Sequence, residues 1–404
     1  MYIEQLYTNC LAEAAYYIES NGEAGIVDPL RETRPYLDLA DERGTKIKYV
    51  FETHFHADFV SGHIDLAKAS GAQIIYGPTA RAEYEITVAE DEQEFSLGNI
   101  RIKVLHTPGH TMESSCFLVI DETGKEHAIF TGDTLFIGDV GRPDLAVRSE
   151  VNVEEMAAKL YYSLHNKVLS LPDDVIVYPG HGAGSQCGKN LSEETVSTVG
   201  QQRQFNYTLQ EDTEEGFVKA VITGLVAPPQ YFPKNVQINK SGYRNIQEVL
   251  TVANRPLSAE EFSFEAAKGA LIIDSRAAQV YCAGHIPGSI GIGLDGFFAI
   301  WVGTLVEDLN TPILLLTEPN KEEDTTLRLA RVGYEHVLGY LEGGWESWRQ
   351  SCLEIKRITS QCPADFRKQD FDDTVVLDVR TSGEYDSEHW EGSINQPLAE
   401  LPFR

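Results

Sequence analysis

The chain is short of positive charge. Lysine and arginine together number 33 against 62 aspartates and glutamates, which leaves a formal charge of −29 over 404 residues. Such a polyanion gains nothing by releasing phosphate counterions, so nucleic acid is excluded as a partner class. The charge favours solubility and says little about fold. Long apolar runs are missing as well: none reaches the roughly eighteen residues that a membrane-spanning helix needs, and no membrane partner is expected. The opening Met1-Tyr-Ile-Glu-Gln-Leu-Tyr has neither a basic start nor an apolar core, so a signal peptide is not expected. Cysteines are few and scattered, at positions 10, 116, 187, 282, 352 and 362, with no C-x-x-C pair. Separated thiols without a secretion signal point to reduced cysteines in a cytoplasmic protein.

What remains is an ordinary globular composition, 42% hydrophobic and 24% charged, in a chain long enough for two or three domains. Asn21-Gly22 marks a hairpin turn between strands at 16–19 and 25–28. Helices are expected over 32–43, ended by Gly44, over 60–69, ended by Gly71, and over 154–169. Strands are expected at 47–51, 74–76, 100–105, 116–120, 128–130 and 175–178. Alternating strands and helices fit a layered α/β sandwich.

Four strand ends carry metal-binding residue types. Thr53-His54-Phe-His56-Ala-Asp58-Phe59 follows the first, Thr107-Pro-Gly-His110 the second, Thr131-Gly-Asp133 the third and Tyr178-Pro-Gly-His181 the fourth. Glycine and proline beside each let loops converge on one sheet edge and approach an ion closely. A lone H-x-H is weak evidence, whereas four such loops in this order are strong. In an H-x-H-x-D-H motif the sixth position is a histidine; here it is Phe59.

The order and spacing resemble the metallo-β-lactamase fold superfamily over residues 1–235, and within it glyoxalase II-like proteins and persulfide dioxygenases in particular. The resemblance implies an αββα sandwich. It places His54, His56, His110 and Asp133 at a first metal, and Asp58, position 59 and His181 at a second, bridged by Asp133. Phe59 cannot ligate, so the second site is expected to be empty and the domain mononuclear. Persulfide dioxygenases hold one Fe(II) through residues matching His54, His110 and Asp133, the facial-triad arrangement with open positions for substrate and oxygen. His56, Asp58 and His181 then orient ligands or bound oxygen. Zinc is the less expected metal, since it takes the same donors.

Two further segments fit this subgroup. Gly138-Asp-Val-Gly-Arg142-Pro-Asp144 resembles a thiol-substrate loop, in which Arg142 either holds a carboxylate of the carrier or pairs with Asp144. Cys187 lies in a glycine-rich loop six residues past His181. Lys189 nearby would favour its thiolate and a persulfide-handling role, against the alternative of an inert buried thiol.

After a proline-bearing stretch, with 236–257 expected as linker, an internal repeat appears. Asp274-Ser-Arg276 recurs as Asp378-Val-Arg380, and Gly284-His285-Ile-Pro-Gly-Ser-Ile290 as Glu388-His389-Trp-Glu-Gly-Ser-Ile394. Both copies resemble the rhodanese fold, over 258–357 and over 363–404, the latter the start of a truncated second unit. An active rhodanese places its cysteine after the next apolar strand, but Pro312–Leu316 here leads into Thr317-Glu-Pro-Asn320. The first unit is therefore expected to be inactive. Its Asp274, Arg276 and His285, like Asp378 and Arg380, read as groups that hold the fold.

Together these resemblances imply a one-iron oxidoreductase. It would oxidise a low-molecular-weight thiol persulfide, of glutathione, coenzyme A or bacillithiol type, with O2 to sulfite and thiol. Coupling to rhodanese-type sulfur transfer would give thiosulfate as a possible product of sulfide detoxification, and a homo-oligomer is expected. The alternatives are a glyoxalase II-like metal-dependent thioester hydrolase and a rhodanese-like scaffold for sulfur-carrier partners.

Overall fold

The computed structural model describes residues 1–145, 152–368 and 374–401. Two six-stranded sheets stack face to face in the first part. One runs in the order Tyr2–Thr8, Glu13–Ser20, Glu23–Val27, Lys46–Glu52, Gln73–Tyr76, Thr87–Val88. The other runs Ser197–Thr198, Ile176–Pro179, Glu126–Gly132, Ser115–Ile120, Ile100–His106, Glu94–Leu97.

The strand Ser115–Ile120 shows why the layers form. All six residues are buried, and successive side chains point to opposite faces. Phe117 and Val119 enter the core between the sheets, with Phe51 and Phe130. Cys116, Leu118 and Ile120 face outward, under Leu160 and Leu164 of the helical stretch Val153–Val168. On the other side Tyr36 and Ala40 of the helix Arg34–Arg43 cover Ile26 and Val50. The result is the expected αββα order. The hairpin turn also forms, with Asn21 and Gly22 both at positive φ.

The second part holds a parallel five-stranded sheet in the order Pro256–Leu257, Val337–Leu341, Ile313–Leu316, Leu271–Asp274, Ile290–Gly291. The repeat is structural as well as sequential. Arg276 clamps Asp274 and donates to the Gly284 carbonyl at 2.9 Å, and Arg380 clamps Asp378 and donates to the Glu388 carbonyl at 2.7 Å. Leu377–Asp378 pairs in parallel with Ile394–Asn395 as Leu271–Asp274 does with Ile290–Gly291. Residues 369–373 and 402–404 of the second unit lie outside the described residues.

The stretch 236–257, expected as linker, is mostly helical: Phe232–Ser241 and Ile246–Ala253 occupy much of it. Its polar composition misleads because Asn239, like Asn235 just before the stretch, is fully buried. The two parts share one buried apolar cluster, in which Phe59, Tyr231 and Phe232 join Phe298, Val302 and Leu329. Ion pairs cross between them, Arg31 with Glu335 at 2.9 Å and Arg331 with Glu32. Among the described residues no helix is long and apolar enough to cross a membrane.

Candidate metal centre

Ile100–His106 and Glu126–Gly132 are both antiparallel to Ser115–Ile120 and so run the same way; Ile176–Pro179 is parallel to Glu126–Gly132. Their C-terminal ends, which carry His110, Asp133 and His181, therefore emerge at one edge. The Ser115 amide donates to the Thr53 carbonyl at 2.9 Å and brings the end of Lys46–Glu52 to the same edge. Close approach needs small residues there. Gly132 has φ +48°, and a Cβ on it would lie 2.4 Å from Thr53 Oγ1; on Gly180 it would lie 2.8 Å from Asp133 Oδ1.

His54, His110 and Asp133 meet in the interior, with donor atoms within 4.8 Å of one another. His110 Nε2 is 3.4 Å and His54 Nε2 3.9 Å from Asp133 Oδ2. None of these three buried atoms has a hydrogen-bond partner among the described residues. Buried polar atoms left in this state are costly unless something else binds them. The opposite ring nitrogens are anchored. His110 Nδ1 lies 2.8 Å from the Arg142 carbonyl and must donate to it, which leaves Nε2 as a lone-pair donor. His54 Nδ1 lies 3.0 Å from Thr53 Oγ1, which itself donates to Asp28 Oδ2 at 2.7 Å. Burial, then the neighbouring His56, holds His54 well below the ordinary histidine value, and burial lowers His110 despite Asp133. Neutral imidazoles and one ionised carboxylate are the donor set a divalent metal takes.

His56 does not join them. Its Nε2 lies 3.2 Å from Asp28 Oδ1 and 3.6 Å from Glu52 Oε2, in a separate cluster, and its ring lies against Phe59 with centroids 4.2 Å apart. His56 was expected at the first metal; its Nε2 lies nearer these two carboxylates, while its ring stays 4.2 Å from that of His54 and neither of its nitrogens has a hydrogen-bond partner among the described residues.

His181 bridges two acids, with Nδ1 2.8 Å from Asp133 Oδ1 and Nε2 2.7 Å from Asp58 Oδ2. Burial alone would discharge it, but the charges of Asp133 and Asp58 outweigh burial and raise it well above its ordinary value. Asp133 responds in kind: His181, His110 and His54 overcome its burial and hold it well below the carboxylate range.

Cys187 is brought to the site, within reach of Asp58 and His181. Its surroundings do not favour the expected thiolate. Lys189 Nζ points elsewhere, donating to the carbonyls of Ala220 and Thr223 at 2.7 and 2.9 Å. Burial, then Asp58 and Asp133, push the thiol well up. Arg142 takes the second of its two readings. Its guanidinium forks onto Asp144 at 2.6 and 2.7 Å and donates to the Gln186 and Val226 carbonyls. That leaves little of it for a substrate carboxylate.

Sequence reasoning missed the groups that set the ligands in place: Asp28, Thr53, the Arg142 carbonyl and Asn239. Asn239 Nδ2 donates to the carbonyls of His56 and Phe59, both at 2.8 Å, and its Oδ1 accepts from the Ser61 amide at 3.0 Å. The only signal in the sequence was Thr53 itself, inside the motif.

In the first unit of the repeat, a cavity of about 470 Å³ lies beside the loop where a rhodanese nucleophile would stand. Glu318, Asp295 and Lys321 line it, with no cysteine among the described lining residues.

Comparison with known proteins agrees with these two parts. Residues 8–181 match the metallo-beta-lactamase superfamily, and residues 258–351 match the rhodanese-like domain. A probable hydroxyacylglutathione hydrolase of Schizosaccharomyces pombe is 31% identical over 211 residues, 46% of this chain and 78% of that protein. The human mitochondrial persulfide dioxygenase ETHE1 is 31% identical over 219 residues, 54% of this chain and 78% of that protein. A crystal structure of a metallo-beta-lactamase from Staphylococcus aureus superposes with TM-score 0.74 at 33% identity, covering 84% of this chain and 98% of that one.

Proposed function

Because the chain belongs to the metallo-beta-lactamase superfamily and carries a rhodanese-like domain behind that fold, we propose that it is an iron-dependent persulfide dioxygenase. The observation that carries this reading is the direction of His56. With its ring turned to Asp28 and Glu52, the first site offers two histidines and one carboxylate, the facial triad of non-haem iron oxygenases. His54, His110 and Asp133 would hold the iron, which would supply the redox chemistry for the reaction of a substrate sulfur with dioxygen.

The balanced reaction consumes one persulfide, one dioxygen and one water, and yields one thiol, one sulfite and two protons. His181 keeps Asp133 Oδ1 engaged, so that Oδ2 is the oxygen left for the metal. Thr53 and the Arg142 carbonyl fix the two imidazoles in the tautomer that ligates. Phe59 and Phe136, both fully buried, contribute apolar walls that exclude bulk water. The rhodanese-like domain supports sulfur as the currency of the chemistry, and six free cysteines suit a reducing cytoplasm. Tethering the two would raise the local concentration of a passed sulfur species.

A thioester hydrolase is the second reading, favoured by the likeness to the hydroxyacylglutathione hydrolase. Metal analysis with an oxygen electrode separates them. Iron in the first site, and oxygen uptake only after glutathione or coenzyme A persulfide is added, with one sulfite per oxygen, supports the dioxygenase. Cleavage of a glutathione thioester without oxygen uptake would overturn it.

A further inference from the structure

Tyr231 lies outside the residues 8–181 that match the metallo-beta-lactamase superfamily, at the N-terminus of the helix Phe232–Ser241. It is 1% exposed, yet its hydroxyl has no hydrogen-bond partner among the described residues. A buried donor in this state is costly unless something else binds it. The ring belongs to the buried cluster that also holds Cys187, Phe59 and Phe136. Burial raises the phenol well above its ordinary value, and the charges of Asp58 and Cys187 add to that, so the group stays protonated.

The ring is held in place from the second domain. Gly303, in the helix Phe298–Leu305 of the rhodanese-like domain, comes so close that a Cβ there would lie 2.4 Å from Tyr231 Cδ1. Glycine inside a helix is unfavourable, and this approach gives the local reason for it. Phe232 packs edge-on against the same ring, with centroids 5.1 Å apart. Phe297, the residue before that helix, reaches the glycine-rich turn, where a Cβ on Gly184 would lie 2.9 Å from its Cζ. One segment of the rhodanese-like domain therefore bears on both Tyr231 and the turn that carries Cys187.

We propose that Tyr231 is a substrate-binding residue, whose hydroxyl donates a hydrogen bond to the sulfur of a thiol or hydropersulfide, and that Gly303 sets its position. The ligand class follows from the surroundings. Asp58, with a carboxylate oxygen within 4.8 Å of the Cys187 sulfur, repels a ligand carboxylate or phosphate. A sulfhydryl can enter uncharged and packs well among aromatic rings such as Phe59 and Phe136. The rhodanese-like domain, with no cysteine among the described residues of its own cavity, then takes part as a wall of the site that receives the sulfur. The inference rests on a thiol-derived substrate, which the dioxygenase and thioester hydrolase readings share.

The test is a calorimetric titration of the metal-loaded full chain, without oxygen, with glutathione and with coenzyme A, stable thiols that stand in for the persulfide. Tyr231→Phe keeps the ring and should weaken thiol binding about 3–10-fold, with metal content unchanged. Its stability to urea should be equal or higher, because an unpaired buried hydroxyl is removed; a hydroxyl that served the fold would lower it. Gly303→Ala should weaken binding to a similar degree, and adding it to Tyr231→Phe should weaken it little further. Equal binding by wild type and Tyr231→Phe, no binding of either thiol by the wild type, a less stable Tyr231→Phe, or unaltered binding in Gly303→Ala would overturn the proposal. Oxygen uptake does not enter this readout, so tyrosine-dependent thiol binding can stand where the dioxygenase reaction fails, and the reverse.

Discussion

Arg331 tests whether the second domain is part of the metal domain's fold or merely attached to it. Its guanidinium engages Glu32 through Nε at 3.2 Å and through Nη2, and Nη1 lies 3.2 Å from Cys10 Sγ. Its backbone carbonyl accepts from the Val60 amide at 2.7 Å, next to Phe59. The side chains of Arg331 and Glu32 are only 11% and 19% exposed, so solvent screens the pair little. With an effective dielectric of ~20 and about 4 Å between charges, the attraction is about 4 kcal/mol. Arg331→Met keeps the aliphatic volume and leaves Glu32 buried without its partner, for which the expected cost is about 3–5 kcal/mol. Adding Glu32→Gln removes that stranded charge and should recover most of the loss, giving a coupling of about 2–3 kcal/mol. Urea unfolding of the two single variants and the double variant measures all three quantities. A cost below about 1 kcal/mol for Arg331→Met would refute the reasoning, as would a double variant that loses the sum of the singles.

Thr53→Val removes the hydroxyl between His54 and Asp28, so the metal of the first site should be released to a chelator at about 10–100-fold lower chelator concentration, with little change in fold by circular dichroism. Asn239→Ala strands three buried backbone groups of the metal loop and should cost about 3 kcal/mol in urea unfolding; a cost near zero would show that the loop holds itself. His181 has a folded value raised above that of the unfolded chain, so its stabilisation is complete below about pH 6.5 and fades as pH rises through the folded value. In metal-free protein the penalty of His181→Gln should thus be at least about 1 kcal/mol larger at pH 6 than at pH 9; a penalty that grows with pH would contradict the double carboxylate clamp.

The parts that could be read from the sequence are those fixed by local chemistry. Each metal-bearing loop sits where an apolar strand meets glycine or proline, and the D-x-R repeat survives because its clamp closes within a few residues. The direction of His56 could not be read. An H-x-H pair shares one face only in an extended strand, whereas residues 53–60 form no regular element and each ring settles by its own contacts. Cys187 posed the same problem in reverse. Its six-residue distance from His181 was plain, but its approach to Asp58, some 130 positions earlier in the chain, depends on how the whole sheet edge closes. The helices around Asn235 and Asn239 were hidden because buried amides read as surface polarity until their partners are known.

Phe59 ties these observations together. As a missing ligand it predicts only an absence. As a packed ring it does two things at once: it lies on His56, whose Nε2 lies near Asp28 and Glu52, and it enters the apolar cluster that also contains Phe298 and Val302 of the second domain. A histidine there would put a polar ring into that shared cluster and free His56 to swing toward the first metal. The composition of the metal site and the docking of the rhodanese-like fold are therefore not independent traits. Phe59→His should weaken both together, lowering stability to urea and raising the number of histidines around the bound metal, as read by X-ray absorption. If the ligand count stayed at two histidines while stability fell, Phe59 would be a packing residue alone, and the orientation of His56 would have to be ascribed to Asp28 and Glu52.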